Sequence, residues 1–464
     1  MDVSEHDGKI KVCCRIRPCK EATNPLNIRD RCVVHLQPSS APTSSSGTAS
    51  REGSRARNRR RRRDQWGFTF DDVLEDGCSQ QEVYSRCAKN VVQSALTGVH
   101  GTIMAYGCTG AGKSYTMMEG KQDGTDGSQR GVCARALRDV FREVSRRRKQ
   151  GIDIFVQMSF VEFYNEQLFD LFLSPGMRSS RNQRRFNVFG GNGSDSGVIA
   201  KRNNSLTSTL QPTKDVPGRG GNPSQQAPEL AIYERPDGCT YVKGLSLVPV
   251  GSEDEGLRML RAGQLEREVA EHHCLIWLRV VPRRSHAILT VHLTTRTARG
   301  ASGDEVETFR EQQAAEETQV EGPNVARRGR GGGVTTTTSK LNLVDLAGSE
   351  KSSAVSSAMP WDAAVLHREG RFINKSLAFL EQVTIALADR RREHIPFRCS
   401  KLTHYLKDSL GGNCRTLMIA CVWPRPDLLQ QSLATLKFAA RMRCVKNAPV
   451  VNERSWSAED ELSR

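Results

Sequence analysis

No stretch of this 464-residue chain approaches the ~18 to 20 consecutive apolar residues that a membrane-spanning helix needs. Residues Met1 to Lys9 are polar and mixed in charge, unlike a secretory leader. A membrane span is therefore not expected, and the expected setting is cytosolic. Paired cysteines are missing as well. Fourteen cysteines are present, but they are scattered, with no Cys-x-x-Cys pair and no Cys/His ligand spacing, so reduced thiols and no structural zinc are expected. Heptad repeats are absent, which excludes a coiled-coil stalk within these residues. Aromatic residues make up 6%, yet the hydrophobic content of 37% supports a substantial core.

What the chain has in excess is positive charge. A net charge of +16 points to an acidic partner, either nucleic acid or an acidic protein surface. Residues 51 to 63 alone hold eight arginines and one glutamate, so much of the excess sits in one segment outside any core. That segment is one of three low-complexity stretches, at 39–63, 174–228 and 299–338. Such compositions bury too little apolar surface to offset their ordering entropy, and loop insertions are expected there.

Between these stretches, strand and helix patterns alternate, which implies one α/β domain around a central sheet. Lys9 to Cys14, Leu341 to Val344 and the apolar run Thr416 to Val422 read as strands, and Phe155 to Phe163 alternates in part. Helical periodicity marks Gln81 to Leu96, Ile373 to Ala388 and Leu428 to Met442.

The most specific local pattern is Gly107-Cys108-Thr109-Gly110-Ala111-Gly112-Lys113-Ser114, placed between the apolar strand Thr102 to Tyr106 and a helical start at Tyr115. Glycines let backbone N–H groups turn inward around phosphates, and the helix that follows adds its positive end. Lys113 would meet the β- and γ-phosphates, and the Ser114 hydroxyl would ligate Mg²⁺. A second element, Asp345-Leu346-Ala347-Gly348-Ser349-Glu350, ends the strand Leu341 to Val344. There Asp345 can hold Mg²⁺ through water, and Gly348 can bring a backbone N–H to the γ-phosphate. ATP and Mg²⁺ are the expected ligands.

With these residues in view the chain resembles a kinesin motor domain. The likeness is also carried by Arg15-Ile16-Arg17-Pro18, Phe163-Tyr164-Asn165-Glu166, Tyr241 to Leu245, Phe372 to Leu377, His394 to Thr403 and Asp408 to Asn413. The resemblance implies a P-loop NTPase fold of the α/β class, with a central, mostly parallel eight-stranded sheet flanked by helices and long disordered loop insertions. It places Arg15, Arg17, Pro18 and Tyr115 on the adenine and Asp345 to Glu350 as switch II. Residues 8–445 would be the motor domain, 446–453 the neck linker, and 454–464 the start of a stalk that this chain lacks. Cys108 stands where the family commonly has Gln, and Ser114 where it has Thr. Ser376 to Gln382, Leu402 to Asp408 and Phe438 to Met442 resemble the kinesin-9 group of cilia and flagella.

One element departs from the family. Switch I ordinarily reads Asn-x-x-Ser-Ser-Arg-Ser-His, whereas this chain has Arg279-Val280-Val281-Pro282-Arg283-Arg284-Ser285-His286, preceded by His272 to Leu278, apolar where a flexible, solvated segment should be. Either the normal nucleotide response is lost, or the sequence carries a misplaced exon boundary here. Arg284 matches the family arginine and would pair with Glu350. Arg283 replaces a serine that meets the γ-phosphate and Mg²⁺ shell. Losing one such donor typically costs ~100 to 1000-fold in turnover, so the chain as written is expected to bind ATP better than it hydrolyses it.

The resemblance names tubulin as the acidic partner, with Lys243, Arg390, Arg391, Arg392, Arg398 and Lys401 as contacts. Nucleic acid is not the expected partner; that reading rests on residues 51–63 alone. The catalytic set by resemblance is Lys113, Arg284, Asp345, Gly348 and Glu350. The implied activity is microtubule-stimulated ATP hydrolysis with plus-end-directed movement, in cytoplasm and cytoskeleton and, through the kinesin-9 likeness, in the cilium. A homodimer would form through the missing stalk.

Overall fold

The computed structural model describes residues 8–19, 26–30, 33–36, 66–118, 127–173, 229–275, 285–298, 334–350, 375–389 and 391–456. Residues 1–172 and 231–464 form one unit and 173–230 a second, of which Leu173, Glu229 and Leu230 are described. Most of the three low-complexity stretches lies outside the described residues, as do Arg284 and Arg390.

The strands of the first unit are β1 (Lys11–Ile16), β2 (Leu26–Asp30), β3 (Val33–Leu36), β4 (Trp66–Thr69), β5 (Asp72–Leu74), β6 (Gly101–Tyr106), β7 (Asp153–Tyr164), β8 (Gln167–Asp170), β9 (Ala231–Glu234), β10 (Thr240–Lys243), β11 (Val248–Pro249), β12 (His286–Ala298), β13 (Val334–Asp345), β14 (Arg415–Val422) and β15 (Glu453–Trp456). Eight of them form a path in the order β11-β7-β12-β13-β6-β14-β1-β5, to which β8 adds on β7 and β15 on β13. The expected eight-stranded arrangement is thus present, with two strands added. Pairs from β13 through β6, β14 and β1 to β5 are parallel, while β12 runs antiparallel to both β7 and β13.

The parallel half follows from composition. Every residue of β6, and every residue of β14 after Arg415, is buried, as strands covered on both faces require. Its consequence is positional. Asp345 pairs with Ala105, Ala420 with Tyr106, and Ile16 with Val422, so the carboxyl ends of four strands open on one side of the sheet, where α/β folds hold ligands.

Two helices flanking the core escape the periodicities noted above. Val132–Arg148 buries Val132, Ala136, Val140 and Val144 at i, i+4 spacing, and Glu253–Leu275 opens with three acidic residues in its first turn. The expected helix Gln81 to Leu96 is present but broken. Gln80–Val83, opened by a capping box between Ser79 and Glu82, passes through a π turn at Tyr84–Ala88 into Lys89–Leu96. Helix 375–388 and helix Leu429–Met442 lie where expected. One correction concerns 299–338: Val334 to Thr338 is strand, not loop. A Val-Thr-Thr-Thr-Thr run scores as low complexity, but it is β-branched and pairs with both β12 and β15. Among the described residues no helix is long and apolar enough to cross a membrane.

Beyond Leu429–Met442 the chain lies along the core. Lys446 bridges to Lys9, and the Asn447 N–H donates to Gly8 O. The Asn447 side-chain amide donates to Ser409 O (2.9 Å) and Cys414 O (2.7 Å) and accepts from Gly411 N–H (2.7 Å). Asn452 N–H reaches Gly98 O, and β15 then adds to the edge of β13.

Candidate nucleotide site

The phosphate loop leaves β6 against the end of β14, where no side chain fits. A Cβ on Gly107 would stand 2.2 Å from Cys421 O, and Gly107 has φ +149°. Gly112, at φ +103°, opens the short helix Lys113–Met117. Both positions need glycine, the first for close approach and the second for the left-handed turn.

The polar groups of this loop are satisfied from within and by the carboxylates of Asp345 and Glu350. Lys113 Nζ donates to Gly107 O and Cys108 O, each at 2.9 Å, and is buried. Burial pushes its ammonium below the ordinary value, while Asp345 and Glu350 pull it back. Ser114 Oγ donates to Asp345 Oδ2 at 2.8 Å. Glu350, for which Arg284 is the expected partner, accepts from the Thr109 N–H at 2.7 Å and from the Thr109 hydroxyl. A carboxylate therefore sits on an amide of the phosphate loop. Gly348 is equally close, its Cβ position 2.2 Å from Thr109 Oγ1. The Ser114 hydroxyl and the Asp345 carboxylate are adjacent hard oxygen donors, the set that suits a hydrated Mg²⁺.

Arg267, which no sequence signal marked, completes this cluster. It projects from Glu253–Leu275, pairs with Asp345 Oδ2 at 2.8 Å, and donates to Ser285 Oγ (3.1 Å) and Ser285 O (2.8 Å). Both partners are almost fully buried, at 4% and 0% side-chain exposure. Of the switch I motif, Ser285 and His286 are described. His286 accepts from the Ala347 N–H at Nδ1 (3.0 Å) and sits 2.8 Å from Ser376 Oγ through Nε2. Burial, then Arg267, lowers its pKa to about 3, so the ring is neutral.

The expected adenine residues separate into two groups. Arg15 is buried and turned inward, donating to Gln80 Oε1 (2.8 Å) and Thr116 Oγ1 (2.7 Å), with its guanidinium carbon 5.2 Å from the Tyr115 ring centroid. It braces the loop that carries Tyr115. Tyr115 is exposed and its hydroxyl donates to Gln129 Oε1 at 2.7 Å. Pro18 is exposed, and Arg17 donates to Gly110 O. Cys108 is buried, which raises its thiol pKa to about 11; its carbonyl and backbone are the parts that serve the loop. Ala111 is buried in the core beneath it.

Of the expected tubulin contacts, Lys243, Arg398 and Lys401 are exposed. Arg398 lies 3.6 Å from Glu234, which also takes His404 Nε2 (3.0 Å) and Lys407 Nζ (2.7 Å). The structure thus joins the hairpin β9–β10 to the helix Lys401–Tyr405 through one acid. Arg391 and Arg392 are exposed beside Asp389.

Comparison with known proteins agrees with this geometry. The family model "Kinesin motor domain" matches residues 15–445. Kinesin-like protein KLP1 of Chlamydomonas reinhardtii is 35% identical over 390 residues, covering 84% of this chain and 38% of that protein. Kinesin-like protein KIF9 of Homo sapiens is 36% identical over 389 residues, with the same coverage of 84% and 38%. This bears out the kinesin-9 resemblance; the chain spans about 38% of the length of these curated relatives. A solved structure described as "a fast kinesin" aligns with TM-score 0.63 at 26% identity over 96% of this chain and 94% of that one. A microtubule-bound, AMP-PNP-bound KIF14 dimer aligns with TM-score 0.63 at 25% identity over 96% of each chain. With the phosphate loop, Asp345 and the parallel strand ends in the arrangement described, the chain belongs to the kinesin motor-domain family.

Proposed function

We propose that this chain is the motor head of a microtubule-based motor that binds and hydrolyses Mg-ATP, plus-end directed as the neck-like segment that follows its last core helix suggests. The observation that carries the reading is the convergence of Lys113, Ser114, Asp345 and Glu350 around one phosphate loop. On nucleotide binding the Lys113 ammonium turns from Gly107 O and Cys108 O to the phosphates, and Glu350 leaves the Thr109 amide, freeing an N–H for phosphate. Mg²⁺ held near Ser114 and Asp345 supplies charge neutralisation for the phosphates. His286 ties the strand of switch I to Ala347 of switch II and to Ser376. A shift of either switch is thereby passed to helix 375–388, and on to the neck segment along Gly8, Gly411 and Gly98. Lys243, Arg398 and Lys401 supply cations for acidic tubulin, and the contact is salt-sensitive.

ATPase measured with and without microtubules tests the reading. Stimulation by microtubules is expected, and its absence would sink the motor. A second reading, a kinesin-like microtubule binder with impaired hydrolysis, is favoured by one observation: Pro282 and Arg283 stand where the family carries serines. It predicts nucleotide binding and co-sedimentation with microtubules, but ATP turnover that stays low and that microtubules do not stimulate.

A further inference from the structure

β14 and β6 are parallel neighbours, so the residue leaving β14 emerges beside the phosphate loop leaving β6. That residue is Trp423. Its N–H donates to Ser432 Oγ (3.2 Å), and the Ser432 hydroxyl donates back to Trp423 O (2.8 Å). The backbone is thereby fixed to the helix Leu429–Met442. The half-buried indole then lies along the loop. Its Nε1–H donates to Thr109 O at 3.4 Å, and a Cβ on Gly110 would stand 3.2 Å from its Cζ2.

The other face of this arrangement is cationic. The Arg17 guanidinium carbon is 4.1 Å from the indole centroid, and the same guanidinium donates to Gly110 O. Arg425, held by two 2.9 Å bonds to Asp427, lies 5.8 Å from the indole. An arginine on a loop otherwise keeps much of its rotamer freedom. Here a ring and a carbonyl define one position for it.

We propose that Trp423 is a positioning residue for nucleotide binding: its indole holds Arg17 across the phosphate loop and fixes the Thr109–Gly110 peptide, presetting the site for a nucleoside di- or triphosphate. This inference rests on the nucleotide reading above. Because the contacts reach Thr109 and Gly110 and no group expected at the γ-phosphate, the effect is the same for ADP and ATP. It therefore acts as uniform binding, weakening ADP and ATP alike when it is lost.

The test uses the whole chain and a fluorescent ADP in Mg²⁺ buffer. W423A is expected to raise Kd about five- to tenfold, the scale of a partly desolvated cation–π contact plus lost loop packing. W423F, which keeps a ring, is expected within about twofold of wild type, and W423L, which keeps bulk without a ring, is expected to resemble W423A. R17A is expected to match W423A, and the W423A/R17A double variant to be no weaker than the weaker single, because the two act as one unit. Should W423A fail to fold, the contrast between W423F and W423L decides. Wild-type affinity in W423A or W423L, or single effects that simply add, would overturn the inference while leaving the nucleotide reading intact. A wild-type chain that binds no fluorescent ADP overturns both.

Discussion

Strand β13 carries two buried ion pairs five residues apart, and they differ in what closes them. Lys340 Nζ pairs with Asp408 and donates to Thr240 O at 3.0 Å; Asp408 also accepts from the Thr240 hydroxyl at 3.5 Å. Burial opposes the charge on Lys340, but Asp408 outweighs it and holds the ammonium above its ordinary value. This pair is closed by strand, hairpin and turn, with no group that a ligand needs. At the other end, Arg267 and Ser114 share the Asp345 carboxylate, and Ser114 is a group the proposed nucleotide site needs. A buried charge must be compensated wherever it lies. When the compensation comes from fixed framework it acts as a staple, and when it comes from ligand-binding groups it is exchangeable.

The largest expected effect tests the staple. Asp408→Asn leaves Lys340 buried beside a neutral amide and should lower unfolding free energy by about 4 kcal/mol. In urea denaturation, the Lys340→Met/Asp408→Leu double variant should recover most of that loss. A single variant as stable as wild type would break the comparison. Next, Lys113→Ala should weaken nucleotide binding about 100-fold, roughly 2.7 kcal/mol. Its melting temperature should stay near wild type, since the exchangeable end serves binding.

Acid distinguishes the surroundings of the staple. His100 faces Lys340, Asp408 and Cys239, and His292 faces Ser159. Burial, then Lys340, lowers both to about 4. Each is below the free value of ~6.5, so the unfolded chain binds more protons in acid. Stability is therefore complete above pH ~6.5 and falls as pH drops toward 4, by up to about 2 kcal/mol per histidine at pH 5. Denaturant melts at pH 7 and 5 check this, and His100→Gln should flatten the fall. The smallest effect concerns Arg267. Arg267→Ala should destabilise the fold more in EDTA than in millimolar Mg²⁺, by about 1 kcal/mol, because a second cation can replace the first at Asp345. An equal loss in both buffers would make this pair a second staple.

The phosphate loop was legible because its work is done by backbone, and the glycines that shape backbone stand at fixed spacing in the sequence. Asp345 was legible because it ends an apolar strand. Arg15 shows the converse. A motif names a residue type, but Gln80 and Thr116, 65 and 101 positions away, draw this arginine inward. Glu350 was assigned to Arg284, which lies outside the described residues, and is found on Thr109.

By itself the sequence determined the kinesin family, the phosphate loop, the Asp345 element and the apolar strands that lead into them. All of these depend on local spacing. Only the tertiary structure decided that Trp423 and Arg17 meet at Gly110, that Arg267 reaches Asp345, and that the chain after Met442 lies along Gly8, Gly411 and Gly98. Those contacts join residues tens to hundreds of positions apart. Their existence follows from which strands are neighbours and which ends they share, and no local pattern carries that information.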